Sequence, residues 1–320
     1  MFLHCILLAA GLALVVFGAD YLVEGAASLA RRFGLSEFVI GLTIVGMGTS
    51  APEMVVSFIG ALQGNADIAI GNVVGSNIYN VLLILGITAV LLPIGITEDN
   101  LKRDIPVNIF ITLLLLALGL ERTLFGVGTD GLSQADGAVM IAFFIVYMLL
   151  SFRRAQAQPA AESGGGAKRR SIGLSALFVA GGLSALIFGG ELFVNSAIAI
   201  ARALRVSDKF IAITLLAAGT SLPELATCVA AAVKKKGQLA LGGIIGSNVF
   251  NILLILGGSA LIHPLSFADI DYADLAVLLL SALALFTSSF IGKKKQIDRL
   301  DGVLFLLLGA AYFVYLFIHL

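Results

Sequence analysis

Charge is what this sequence has least of. Asp, Glu, Lys and Arg make up 12% of its 320 residues against 59% hydrophobic, with a mean hydropathy of +1.04, which excludes water as its main solvent. The 20 basic and 20 acidic residues cancel, so no bulk field draws in nucleic acid or acidic partners. Cysteine is nearly absent. Cys5 and Cys228 lie in apolar stretches without metal-ligand spacing, which excludes a disulfide framework or zinc site and leaves both as small packing residues. The three histidines, His4, His263 and His319, fall at the ends of apolar stretches and read as interfacial residues, not ligands. No buried Ser-His, Cys-His or paired-aspartate set supports an intramembrane enzyme. No basic segment precedes the opening run MFLHCILLAAGLALVVFG, so it is expected to be a retained first helix and not a cleaved signal peptide.

Long apolar runs are what the sequence does have. A bilayer-spanning helix needs roughly 20 such residues. Runs of that kind recur at 3–26, 37–62, 68–94, 104–121, 133–152, 171–200, 208–233, 238–263, 273–291 and 301–318. They do not alternate apolar with polar residues as barrel strands would, so the expectation is an all-α integral membrane protein of ten transmembrane helices.

An internal repeat organises these spans. VIGLTIVGMGTSAPEMVVS and IGNVVGSNIYNVLLILG, within 36–86, align without a gap to FIAITLLAAGTSLPELATC and LGGIIGSNVFNILLILG, within 207–257. Gly48-Thr49-Ser50 pairs with Gly219-Thr220-Ser221, Glu53 with Glu224, and Ser76 with Ser247, at one constant offset. Phe17-Gly18-Ala19-Asp20 and Phe188-Gly189-Gly190-Glu191 extend the match upstream, so each unit holds five helices. An odd count makes the second copy enter the membrane from the opposite side, as in many secondary transporters. The halves are then 1–152 and 171–320, joined by RRAQAQPAAESGGGAKRR at 153–170, whose composition suits a flexible tether. Basic residues test the count: in alternate loops, only Arg122, Arg202, Arg205 and Lys209 of the 20 fall on one side. The positive-inside rule therefore places the linker in the cytoplasm of a multi-pass plasma membrane protein, bacterial or archaeal inner membrane, with both termini extracytoplasmic.

Glu53 and Glu224 stand in the middle of otherwise uncharged spans, where an ionised side chain costs at least about 2.5–3.5 kcal/mol. Neither repeat has an intramembrane Lys or Arg to pair with them, so the natural counter-charge is a bound cation. Pro52 and Pro223 directly precede them and lack the amide that would reach Gly48 and Gly219. A kink or a break follows, freeing carbonyls near Gly46 to Thr49 and Ala217 to Thr220 as oxygen ligands. Thr49 and Glu53, Ser76 and Asn80, Thr220 and Glu224, and Ser247 and Asn251 are each four apart, on one helical face. Carboxylates, hydroxyls, amides and carbonyls form an all-oxygen shell, which suits Ca²⁺ or Na⁺ over soft transition metals. Gly71 with Gly75 and Gly242 with Gly246 are GxxxG pairs expected to serve helix packing. Asp20, Glu24 and Glu191 line an access path or are ordinary interfacial acids.

The paired motifs GTSAPE…GNVVGSNIYN and GTSLPE…GGIIGSNVFN resemble the two alpha repeats of the calcium/cation antiporter superfamily, in particular its prokaryotic sodium/calcium exchangers. The resemblance implies a ten-helix fold in which spans two, three, seven and eight enclose a diamond of ion sites while spans one and six slide to alternate access. The ligands it implies are Glu53, Glu224, Thr49, Thr220, Ser50, Ser221, Ser76, Ser247, Asn80, Gly46 and Ala217; Asn251 joins them as the match of Asn80. At Asn251 the sequence departs from archaeal-type members, which carry an aspartate there. That leaves two formal negative charges and an open sodium stoichiometry. The expected activity is Ca²⁺/Na⁺ antiport by a functional monomer in a lipid bilayer, without a cofactor. Proton- or potassium-coupled calcium exchange, and a passive cation channel, stand as alternatives.

Overall fold

The computed structural model describes residues 2–126, 128–157, 171–204, 219–268, 270–290 and 295–319. The linker beyond residue 157, the first part of the seventh span and Ala217 lie outside the described residues.

Helix is the only way a chain this apolar can satisfy its backbone in lipid, and nearly all the described residues are helical. The ten spans occur in the expected order. Phe2–Phe33, Ala66–Leu91, Gln134–Arg154, Ile172–Ala203, Gly237–Ile262 and Arg299–Ile318 are each long and apolar enough to cross a bilayer alone, and Glu37–Thr49 with Ala51–Leu62 adds a bent span. Ile105–Gly119 and Tyr272–Ser288 are shorter, as is Leu222–Val233, the described part of the seventh.

Span ends follow local chemistry more than hydropathy. The first span runs on to Phe33, beyond the expected 26, because its last turn carries Arg31 and Arg32, which suit the negative end of a helix dipole. It stops at Gly34, which takes φ +65°. Asn65 caps the third span by accepting from the Ile68 amide, and Leu92-Pro93 ends it at Leu91. The sixth span likewise outruns its expected end at 200, to Ala203.

Burial sorts the spans into layers. In the third and eighth, 78% and 94% of the most apolar stretch is buried inside the protein, against 22% in the first and sixth and 17% in the fifth and tenth. The outer spans turn Phe17, Leu149, Phe188 and Leu307 outward, the surface a bilayer requires. Cys228 packs inside, but Cys5 lies on the exposed face of the first span and is no packing residue.

Four two-residue strands tie the loops together, an addition to the all-α expectation. Ile94–Gly95, between spans three and four, pairs with Gln296–Ile297, between spans nine and ten. Gly131–Leu132, between spans four and five, pairs with Leu265–Ser266, between spans eight and nine. Counting crossings puts the first clasp on one face and the second on the other, and each joins one half to its inverted copy. At the first clasp Glu98 bonds Lys295 and Lys102, which hold its carboxyl down to about 2, so it stays ionised at any physiological pH.

The first and sixth spans pack antiparallel along a glycine seam that the motif search missed. A Cβ on Gly11 would lie 2.6 Å from the Phe193 amide nitrogen, one on Gly18 2.9 Å from the Gly182 carbonyl, and one on Gly25 2.8 Å from the Ser175 carbonyl. Only hydrogen fits between these backbones. Gly242 and Gly246 do the expected packing, against Phe38 and Leu42 of the second span. For Gly71 and Gly75 a Cβ would meet nothing within 4 Å among the described residues, and the equivalents of Phe38 and Leu42 fall at 209 and 213, outside them.

Neighbouring glycines test the seam. Gly182→Leu should cost about 1–3 kcal/mol by forcing the two spans apart, while Gly181→Leu, where nothing lies within 4 Å, should be near neutral. Unfolding temperatures of the two variants in detergent would separate them.

Candidate functional site

Two broken helices meet at the centre of the protein. Proline at the first turn of Ala51–Leu62 and of Leu222–Val233 denies the preceding turn its bond, and Ser50 and Ser221 leave helical geometry at φ −82°, ψ 9° and φ −86°, ψ 3°. The second span bends by 49° there. The break places Glu53 and Glu224 in the first turn of their half-helices, where the helix dipole favours negative charge. They are 1% and 3% exposed.

The two repeats cross-brace these carboxylates. Ser50 donates across the repeats to Glu224 Oε1 at 3.0 Å, while within the first repeat Ser76 donates to Glu53 Oε1 at 3.4 Å. The hydroxyls of Thr220 and Thr49 lie within favourable reach of Glu53 and Glu224, each on the opposite repeat, and the two glutamates are close enough to repel. Lys and Arg are missing from their surroundings among the described residues.

Among the described residues eight buried side-chain oxygens have no hydrogen-bond partner, and five of them belong to expected ligands: Oε2 of Glu53, Oε2 of Glu224, Oγ of Ser221, and Oδ1 of Asn80 and of Asn251. An orphaned buried acceptor costs on the order of 1–3 kcal/mol, and oxygens of this kind suit a hard cation. Among the described residues no three His, Cys, Asp or Glu cluster, so a cation here would rest on two carboxylates and neutral oxygens.

Other expected ligands occupy less direct positions. Ser247, fully buried, donates to the Gly46 carbonyl at 3.2 Å, so that carbonyl already accepts from Ser247 as well as from the Ser50 amide. Thr49 donates back to the Val45 carbonyl at 3.0 Å. Thr220 is half-buried beside a cavity of about 440 Å³ lined by Pro52, Gly190, Glu191, Val194, Gly219 and Pro223. Glu191 lines that cavity, whereas Asp20 and Glu24 both bond Lys234, at 2.6 and 3.0 Å. His263 lies at a span end, as expected.

Sequence reasoning passed over several residues. Asn72 bonds the Glu53 carbonyl at 3.1 Å and Ser57 at 2.9 Å. Asn77 accepts from Asn251, and Asn248 accepts from Asn80. Repetition of Gly-Ser-Asn in both motifs was a signal for Asn77 and Asn248; Asn72 has Gly243 as its equivalent and left none. The third and eighth spans also widen into π-helical turns at Asn80–Leu85 and Phe250–Leu256, a feature common at functional sites.

A family model described as sodium/calcium exchanger protein matches residues 3–153 and 174–320. The chain belongs to the sodium/calcium exchanger family. Among this exchanger's relatives are a protein named putative antiporter CaxA from Alkalimonas amylolytica, 37% identical over 99% of each chain. The sodium/calcium exchanger MaX1 of Methanosarcina acetivorans is 34% identical over 98% of each. A solved structure of the sodium-calcium exchanger NCX_Mj superposes with a TM-score of 0.84 at 34% identity, covering 98% of this chain and 99% of that one. The exchanger is therefore a multi-pass membrane protein of ten helices in two inverted repeats.

The orphaned Ser221 hydroxyl separates binding from folding. Ser221→Ala removes a buried group without a partner, so the ion-free exchanger should melt no lower than the parent, while the rise in unfolding temperature on adding Ca²⁺ should shrink. Thermal denaturation with and without Ca²⁺ reads both.

Proposed function

We propose that this protein is a secondary antiporter that exchanges Ca²⁺ for Na⁺ by alternating access, with Glu53 and Glu224 as the charged ligands of one shared central site. Support comes above all from two buried carboxylates that have no basic partner among the described residues, each with one oxygen unbonded. Ser221, Asn80 and Asn251 add neutral oxygens. Ser50 and Ser76 hold the carboxylates in place, with the two motif threonines beside them. Ser247 and the Gly46 carbonyl complete the wall, and Ala217 is the repeat equivalent of Gly46.

Charge balance supplies the coupling. One Ca²⁺ or two Na⁺ brings the two carboxylates to neutrality, and an empty pair of charges resists burial in a low-dielectric centre. The carrier therefore changes sides loaded. Asn251, which is neutral, adds an oxygen but no charge to that balance.

The halves 1–152 and 171–320 supply one motif each, with 153–170 as the cytoplasmic tether and both termini extracytoplasmic. In that orientation the cavity at Glu191 opens toward the outside. Lys234 bonded to Asp20 and Glu24, and Lys236 bonded to Glu37 at 2.6 Å, then lie toward the cytoplasm. The glycine seam lets the first and sixth spans move as one unit past the second and seventh.

In proteoliposomes an outward-directed Na⁺ gradient should drive ⁴⁵Ca²⁺ uptake, and Glu53→Gln or Glu224→Gln should reduce it to the level of empty vesicles. Full uptake in either variant would overturn the assignment. A pH or K⁺ gradient alone should drive none, and uptake without any counter-ion would instead indicate a channel.

A further inference from the structure

The four motif asparagines are repeat equivalents, Asn77 with Asn248 and Asn80 with Asn251, yet their bonds differ. In one set Asn251 Nδ2 donates to Asn77 Oδ1 at 3.4 Å and the chain of amides ends there, with Asn77 Nδ2 unpartnered. In the other, Asn80 Nδ2 donates to Asn248 Oδ1 at 3.0 Å, and Asn248 Nδ2 donates in turn to Asn108 Oδ1 at 3.2 Å. Asn108 belongs to the fourth span, Ile105–Gly119, is 2% exposed, and lies outside both motifs. By burial pattern its counterpart in the ninth span, Tyr272–Ser288, is Leu278, which has no polar atom to extend the shorter chain.

A carboxamide has one donor end and one acceptor end, so a chain of amides has a direction. With Asn108 accepting from Asn248 Nδ2, Asn248 must turn Oδ1 to Asn80. Asn80 then commits its amino group to Asn248 and turns Oδ1 away. That Oδ1 is one of the buried oxygens without a partner. Run the other way, the same chain would aim the Asn80 amino group at the cation, a repulsive contact in a medium of low dielectric.

We infer that Asn108 is a positioning residue for the ion site, fixing the amide chain Asn108–Asn248–Asn80 in the direction that presents the Asn80 carbonyl oxygen to the cation. This rests on Asn80 being a cation ligand, as proposed above. Asn108 touches no ion itself. Its effect belongs in affinity, and it sets the Asn80 oxygen apart from that of Asn251, whose chain lacks such an anchor.

Initial rates of Na⁺-driven ⁴⁵Ca²⁺ uptake in proteoliposomes, measured against external Ca²⁺, test it. Asn108→Leu should raise the apparent KM for Ca²⁺ roughly five- to tenfold, the effect of about one hydrogen bond, with Vmax near that of the parent. Asn108→Asp, which keeps an acceptor oxygen, should restore KM to within about twofold. In an Asn80→Ala background Asn108→Leu should change KM no further. Asn108→Ala carries the same expectations should the leucine variant not fold. An unchanged KM, an undiminished effect in the Asn80→Ala background, or no rescue by aspartate would overturn the role of Asn108 alone. An Asn80→Ala protein with the parental KM would instead overturn Asn80 as a ligand.

Discussion

Burying two carboxylates with no basic partner is the constraint on which the rest of this structure depends. Water cannot solvate Glu53 and Glu224 at 1% and 3% exposure, and a full positive charge supplied by the protein would leave nothing for an ion to do. The fold instead supplies partial charges. Half-helix N-termini, serine and threonine hydroxyls and amides surround the pair, each able to orient a carboxylate but none able to neutralise it. On the function proposed above, a site assembled this way is completed by the cation it carries.

That constraint accounts for the irregular backbone. An unbroken helix at membrane depth has its carbonyls bonded internally and its dipole ends at the bilayer surfaces. Prolines at 52 and 223 move helix ends to the centre, and the π-helical turns at Asn80–Leu85 and Phe250–Leu256 re-aim side chains in the facing spans. Each device appears twice because the motif is repeated with opposite membrane topology, one copy to each wall. The buried eighth span then needs glycine at 242 and 246 for the second span to come close enough to share a site.

Much of this could be read from the sequence because the chemistry is carried by residues that are costly in lipid. A glutamate after a proline in an apolar run, repeated at a fixed offset, has few physical explanations, and the structure brings Glu53, Glu224, Ser50 and Ser76 together as the motifs suggest. What escaped was whatever lacks a repeat or a charge. The seam of Gly11, Gly18 and Gly25 against Gly182 and Gly189 is spaced by sevens, outside the GxxxG pattern sought. Asn72 has no polar counterpart in the second half, and Asp20 and Glu24 found Lys234 only through a tertiary contact between the first and seventh spans. Span ends were misjudged where capping and arginine, not hydropathy, decided them.

Inversion makes the two faces alike in architecture but not in charge, and the difference bears on how the molecule is held closed. Lys234, Asp20 and Glu24 correspond by the repeat to Gln63, Glu191 and Asn195, a set with one acid and no cation. Ion pairs can therefore brace the first span to the seventh at one face, while their equivalents cannot form at the other, where the cavity beside Glu191 lies. Partly exposed pairs contribute only about 0.2–1 kcal/mol each. Between two conformations of nearly symmetric packing that is still a severalfold bias in population, since 1.4 kcal/mol corresponds to about a factor of ten. A repeated core thus carries the polar chemistry, while an unsymmetric rim of three charged side chains braces the first span to the seventh at one face only.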